Sequence, residues 1–155
     1  VTINAKVLTV STSVAAGTRD DESGDVLVEL LTDSGFSVVD RTVIPDGEVS
    51  VADALIRLSE DFAGLILTTG GTGFSPSDQT PEGTDRVLDR RAPGLAEAMR
   101  ATNALGRLSR GSAGTRGAAL ILNLPGSPRA VREHFAAISD VLDHVLELMA
   151  GGHPH

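Results

Sequence analysis

Leu65-Ile66-Leu67-Thr68-Thr69-Gly70-Gly71-Thr72-Gly73-Phe74-Ser75-Pro76-Ser77-Asp78-Gln79-Thr80-Pro81-Glu82 runs from an aliphatic segment through a glycine-rich turn into a helix start. A short unbroken apolar run of this kind suits a strand buried on both faces, as in the middle of a parallel sheet. The glycines let the backbone take up positive φ and approach a ligand closely, where any Cβ would obstruct. Thr80 as N-cap, Pro81 at the first helical position and Glu82 in the first turn make a start signal. Exposed N–H groups in such a loop, followed by a helix N-terminus, attract phosphate. Asp78 falls at the mouth of the loop, where a divalent cation or a reacting hydroxyl could meet it.

Glycines between a strand and a helix also serve turn geometry alone, so the cluster by itself does not name a ligand. It does exclude one nucleotide-binding design and fits a second poorly. The run lacks the Gly-Lys-Ser/Thr ending of a P-loop, and Lys6 is the sole lysine of the chain. A dinucleotide fingerprint opens its helix directly on the glycines after the first strand, whereas here the glycines end several residues before Thr80.

Outward from this stretch the chain alternates strand and helix patterns. Lys6 to Val10 reads as a strand, Ser11 to Ser23 as a polar loop, and Val26, Leu27, Leu30 and Leu31 as the apolar face of a helix closed by Gly35. Phe36 to Ile44 reads as a second strand ended by Pro45-Asp46-Gly47, and Ser50 as the cap of a helix carrying Val51, Leu55, Leu58 and Phe62. Gly64 to Thr69 is the third strand, expected at the centre of the sheet. Thr80 to about Arg90 and Leu95 to about Ala104 read as helices separated by Pro93-Gly94, and Arg107 to Gly117 as an exposed loop. Ala118 to Leu124 is another buried strand. Ser127-Pro128 repeats the cap signal before a long helix with Val131, Phe135, Ile138, Leu142, Val145 and Met149 on one side. Alternation of this kind implies parallel β-α-β units, whose ligands bind outside the carboxyl ends of the strands. The loops after Val10, Ile44, Thr69 and Leu124 would then share one edge.

The chain has 155 residues, which suits a single domain over 1–150 with a polar tail at 151–155. Apolar content of 41% with few aromatics means a core of Val, Leu, Ile and Ala. Without cysteine there are no disulfides, thiolate metal sites or cysteine nucleophiles. No long apolar run and no signal-like start are present, so a cytoplasmic protein without membrane contact is expected. A net charge of −8 argues against a nucleic-acid partner. A phosphorylated ligand remains compatible if backbone N–H groups and a few arginines hold it locally, and Arg90, Arg91 and Arg110 lie near the motifs.

TTGGTG-x4-D-x-TPE resembles the signature of the MoaB/Mog family of molybdenum cofactor biosynthesis proteins. Ile44-Pro45-Asp46 resembles the family's "IPD" element, Asp89-Arg90-Arg91-Ala92-Pro93-Gly94-Leu95 its "DRExPGF", Leu108-Ser109-Arg110 its "LSR", and Ala119 to Pro128 its "ALILNLPGxP". The resemblance runs in the family's order over roughly residues 5 to 148. It implies a three-layer α/β/α sandwich with a mostly parallel central sheet and an antiparallel strand near one edge. It also implies adenylyl transfer from Mg-ATP to the phosphate of molybdopterin, a trimer or hexamer, and contact with other proteins of molybdenum cofactor biosynthesis. The alternative within the family is a MoaB-like protein that binds molybdopterin with little or no transferase activity, and Asp78-Gln79-Thr80-Pro81 does not decide between them.

Asp46 and Asp78, each explicable as a turn residue, become candidate catalytic and Mg²⁺-holding groups on the strength of the resemblance. Gly70, Gly71, Thr72 and Gly73 are expected to cradle phosphate or nucleotide, beside Thr69. Asn123, Pro125, Gly126 and Ser127 are expected to wall the neighbouring space. Asp21, Ser23 and Gly24 are ordinary cap residues by position, yet "DESG" resembles the family's "DRSG" loop, and Ser109 enters through "LSR". Ser11 is expected in the pocket as well, although Ser11-Thr12-Ser13 lacks the carboxylate that many members carry there. His134, His144, His153 and His155 show no metal-ligand spacing and are expected at the surface. Leu95, Ala98, Met99, Thr102 and Leu105 recur at helical spacing, a face that needs either the core or a subunit interface.

Overall fold

The aliphatic runs become the middle of a six-stranded sheet in the order β2-β1-β3-β6-β5-β4. In the computed structural model, which describes residues 2–152, the strands are β1 (Asn4–Val10), β2 (Ser37–Ile44), β3 (Gly64–Thr69), β4 (Arg90–Arg91), β5 (Ala113–Arg116) and β6 (Ala119–Leu124). The helices are α1 (Thr12–Ala15), α2 (Glu22–Asp33), α3 (Glu48–Ser59), α4 (Thr80–Asp85), α5 (Pro93–Arg100) and α6 (Pro128–Met149), with a 3₁₀ turn over Ala104–Leu108. β1, β2, β3 and β6 are mutually parallel; β5 runs antiparallel to β6, and β4 antiparallel to β5.

Every residue of β3 and β6 is buried. Because strand side chains alternate, Leu65, Leu67, Leu120, Leu122 and Leu124 point to one face with α2, α5 and α6, while Ile66, Ala119 and Ile121 point to the other with α3. That division produces the three layers the resemblance implies. Lys6 is absorbed into the fold, donating to the Leu58 carbonyl at 2.9 Å and lying 4.2 Å from the centre of the Phe62 ring.

Several local expectations need correction. The polar segment after β1 is not a loop throughout: Ser11 caps the short α1, and Asp21 caps an α2 that begins before the first apolar residue. Gly35, at φ +90°, closes α2 as expected, with Phe36 N–H returning to the Leu31 carbonyl. Ser50 caps nothing, because α3 starts two residues earlier and the Ser50 hydroxyl donates to the Pro45 and Gly47 carbonyls. Gln79, not Thr80, is the N-cap of α4, which stops at Asp85 rather than near Arg90. Pro93 opens α5 instead of interrupting a helix, and α5 ends at Arg100. The segment expected as an exposed loop carries a 3₁₀ turn and β5, whose pairing with β6 rests on main-chain bonds that its Gly- and Ser-rich composition does not advertise.

Candidate functional site

The carboxyl ends of β1, β2, β3 and β6 carry the motif loops to one edge of the sheet. There the glycine loop is packed from two sides. Gly70 and Gly71 have φ of +98° and +70°, a region that L-residues rarely adopt. A Cβ on Gly70 would lie 2.3 Å from the Val10 carbonyl oxygen, and one on Gly71 2.2 Å from Thr80 Oγ1. Thr80 is fully buried, and its hydroxyl donates to the Gly70 carbonyl at 2.9 Å while its N–H donates to the Gly71 carbonyl at 3.0 Å. The threonine expected as a helix cap therefore ties α4 to the loop.

Arg110 ties the loop from the other side. Its Nε donates to the Gly73 carbonyl at 2.8 Å, its Nη2 to the Asp78 carbonyl at 2.8 Å, and its fork engages Glu82 at 2.7 and 3.3 Å. Its own N–H donates to the Thr72 carbonyl. Hydrogen bonding to Arg110 holds the Glu82 carboxyl below the usual carboxylate range, and the same contact raises the arginine. This arginine shapes the site without being free to bind an anion, and only its proximity to the motif was visible in the sequence.

Two clefts open on either side of the loop. The smaller, about 190 Å³, is lined by Ser11, Ser23, Asp46, Thr69, Gly70, Gly71, Asp78 and Gly126, together with Thr9, Val10, Val14, Arg19, Asp20, Glu22 and Pro128. The larger, about 620 Å³, is lined by Gly71, Thr72, Gly73, Asp78, Ser109, Pro125, Gly126 and Ser127, with Asn103 to Gly106, Leu108, Arg129, Ala130, Glu133 and His134. Gly71, Asp78 and Gly126 border both. A further cavity of about 600 Å³, beside Phe36, Gly64 and Met149, lies at the opposite end of the strands and receives none of the motif residues.

Of the residues expected at the site, three turn inward instead. Asp21 accepts from Thr9 Oγ1 at 3.0 Å and from Gly24 N–H at 3.1 Å, and pairs with Arg41 at 3.0 Å, so its carboxylate is committed to the start of α2. Gly24 packs against that carboxylate. Asn123 is buried within the sheet, donating to Thr68 Oγ1 and Thr84 Oγ1 and accepting from Ser112 N–H, each at 3.0 Å. Thr69 borders the small cleft, with its hydroxyl donated to the Pro125 carbonyl at 2.6 Å. Ser127 caps α6 by accepting from Ala130 N–H, and Ser109 accepts from Gly111 N–H.

Asp46 and Asp78 each have one oxygen held and one without a hydrogen bond among the described residues. Asp46 Oδ2 accepts from the N–H and hydroxyl of Thr12, both at 3.1 Å, and Asp78 Oδ2 accepts from Ser75 N–H at 3.0 Å. Oriented carboxylates with a spare oxygen fit Mg²⁺, which takes one or two protein carboxylates and completes its shell with phosphate and water. Among the described residues no group of three or more His, Asp or Glu side chains forms a self-sufficient metal site. Any metal here would need further ligands from bound phosphate or water.

Arg19, Asp20 and Glu22 were missed as cleft residues because a run of charges before a helix reads as solvated surface. His134 corrects an expectation outright: it is 2% exposed, and burial lowers its pKa from the ordinary value. His144 is exposed as expected, while His153 and His155 lie outside the described residues.

Residues 6–144 match the family model described as a probable molybdopterin binding domain. The chain belongs to that family. It is 33% identical over 159 residues to the molybdopterin adenylyltransferase of Helicobacter pylori strain ATCC 700392 / 26695, covering 98% of this chain and 90% of the relative. It superposes on a solved structure of MogA with a TM-score of 0.90 at 43% identity, covering 94% of this chain and 99% of that one. For the molybdopterin biosynthesis enzyme MoaB of Thermus thermophilus the TM-score is 0.89 at 42% identity, with 96% and 97% covered. The three-layer fold is thus shared with both branches that the sequence resembles. Among the described residues, no helix of this family member is long and apolar enough to cross a membrane.

Proposed function

We propose that this protein is a molybdopterin adenylyltransferase of molybdenum cofactor biosynthesis, acting in the cytoplasm as a single-domain subunit over residues 1–150. The observation that carries the reading is the pair of unequal clefts meeting over Gly71, Asp78 and Gly126. A transferase for two phosphorylated reactants needs separate seats whose phosphate ends converge on one wall. In the proposed reaction a phosphate oxygen of molybdopterin attacks the α-phosphorus of ATP. A new P–O bond forms, the bond to the bridging oxygen breaks, and pyrophosphate leaves.

The chain's own residues would act chiefly by holding and orienting. N–H groups of Gly71, Thr72 and Gly73 and the hydroxyl of Thr72 would receive phosphate oxygens, and the Thr80 and Arg110 contacts keep that loop from yielding. Ser11, Ser23 and Thr69 would line the polar seat, with Arg19 supplying its positive charge. Asp46 and Asp78 would hold Mg²⁺ through their unbonded oxygens, the ion supplying charge neutralisation on the transferring phosphates. Pro125, Gly126, Ser127 and Ser109 would form the wall of the larger seat, while Asp21, Gly24 and Asn123 would act indirectly by fixing α2 and the sheet. Self-association is supported by Phe74, Leu105 and Leu108, which are 71%, 74% and 55% exposed; the trimer is favoured on the family resemblance alone.

The second reading is a MoaB-like binder. It is supported by near-equal identity to MogA and MoaB, 43% and 42%, and by the carboxylate-free Ser11-Thr12-Ser13. Incubation with molybdopterin and Mg-ATP separates the two. Release of pyrophosphate with adenylylated molybdopterin supports the transferase; tight molybdopterin binding without pyrophosphate supports the binder.

A further inference from the structure

One side chain bordering the larger cleft carries a buried polar atom for which the fold supplies no partner among the described residues. His134 is 2% exposed and borders this cleft from α6, and its Nδ1 is the buried side-chain nitrogen or oxygen that finds no hydrogen bond among the described residues. Buried polar atoms are nearly always bonded, because an unmet one has lost water and gained nothing. The residue that carries this exception borders a space of about 620 Å³. Burial lowers the ring's pKa from its ordinary value and so favours the neutral form, which carries one donor and one acceptor.

The remaining lining says what could use such an atom. Leu105, Leu108, Ala104, Ala130 and Pro125 give the cleft apolar walls, and Gly71 and Asp78 lie where it meets the phosphate loop. A flat ring with nitrogen atoms at its edge satisfies both demands, its faces against the aliphatic groups and its edge against the imidazole. We propose that His134 reads the hydrogen-bonding edge of a nitrogen heterocycle seated in the larger cleft, and so selects which reactant occupies it. This rests on the adenylyltransferase reading, in which both reactants carry such a ring, a pterin in one and adenine in the other.

His134→Phe keeps a flat ring and removes both nitrogens, whereas His134→Asn keeps a polar atom close to the Nδ1 position. Binding of molybdopterin and of ATP is measured separately for the parent and both variants by titration at about pH 8, where imidazole is neutral, and ligand-free melting is recorded on the same samples. The expected result is that His134→Phe weakens one of the two ligands about three- to tenfold and leaves the other unchanged. The affected ligand identifies the occupant of the cleft. His134→Asn should retain most of that affinity. Ligand-free His134→Phe should melt about 2–6 °C higher, since an unmet buried polar atom has been removed. Unchanged affinity for both ligands, equal weakening of both, or a lower melting temperature for His134→Phe would each overturn the assignment, the last by showing that the imidazole is a structural group. A parent protein that binds neither ligand would overturn the adenylyltransferase reading itself, and this assignment with it.

Discussion

Arg110→Ala removes the clamp that holds the glycine loop against the 3₁₀ turn. The lost side-chain contacts are the bonds to the Gly73 and Asp78 carbonyls, both 2.8 Å, and the fork on Glu82. Each carbonyl bond contributes about 0.5–1.5 kcal/mol net. The Glu82 pair, with side chains 29% and 42% exposed, is screened and contributes about 0.5 kcal/mol or less. The total of about 1–3.5 kcal/mol corresponds to a melting shift of about 2–14 °C for a chain of this size. Activity should fall further than stability, because loosening residues 72–78 misplaces the wall common to both clefts, and a displacement of about 1 Å can cost a hundredfold in rate. Arg110→Lys should recover only the Glu82 pairing, since an ammonium cannot reproduce the planar fork. Glu82→Gln, which leaves both carbonyl bonds in place, should shift melting by about 1 °C or a little more. Thermal melting together with steady-state adenylyl transfer, assayed well below every transition, measures both effects. An Arg110→Ala protein that melts within a degree of the parent and turns over at the parent rate refutes the clamp.

Gly71→Ala should cost about 3–5 kcal/mol, combining left-handed backbone strain with the clash on Thr80 Oγ1 and the hydrogen bond that the clash displaces; in a Thr80→Ala background the cost should drop toward about 1–2 kcal/mol, and purely additive melting data would remove Thr80 from the explanation. Asp78→Asn should fold normally, since the amide oxygen can still accept from Ser75 N–H, yet lose most transfer activity at low Mg²⁺; parent-like turnover across a Mg²⁺ series would reduce Asp78 to a turn residue. Acidification should destabilise the fold in two stages: below the ordinary 6.5 of histidine the unfolded chain takes up a proton that buried His134 resists, and below the ordinary 4.5 of glutamate it takes up one that Arg110-paired Glu82 resists. Urea melts against pH should show His134→Phe flattening the first stage and Glu82→Gln the second, and unaltered profiles would contradict the assignments. Light scattering at micromolar concentration should give a multiple of the 16.0 kDa chain mass, and Leu105→Asp should return it to a single chain; a parent already of single-chain mass ends the oligomer proposal.

The sheet's centre was legible because Leu65 to Leu67 and Ala118 to Leu122 are aliphatic without interruption, which in a chain of this length leaves little choice but burial on both faces. The glycine loop was legible as a loop, but not why its glycines are required: the clash with Thr80 Oγ1 depends on α4 folding back, which spacing cannot reveal. Ser50 and Thr80 misled for one reason. A hydroxyl just ahead of a helix pattern is the usual cap signal, from the apolar spacing after Ser50 and from Pro81 and Glu82 after Thr80, yet both hydroxyls instead serve main-chain carbonyls. β5 was hidden because Ala113-Gly114-Thr115-Arg116 has little strand character and is held by β6. His134 escaped because its neighbours Arg132 and Glu133 read as solvent-facing, while the ring itself occupies the buried side of α6 alongside Val131 and Phe135.

β3 is bonded along one edge by β1 and along the other by β6, whose residues stand 55 positions later in the chain, as at Thr68 and Asn123. At about 5–20 residues per second, synthesis leaves the second edge of β3 open for about 3–11 s. During that interval the aliphatic strand is a template for any other unpaired strand, in a segment without a single charge from Gly64 to Thr69. Translation rate and the supply of chaperone, more than equilibrium stability, should therefore govern the soluble yield of this protein. Synonymous codons that slow the ribosome between residues 70 and 118 should lower that yield, because they lengthen the wait for β6.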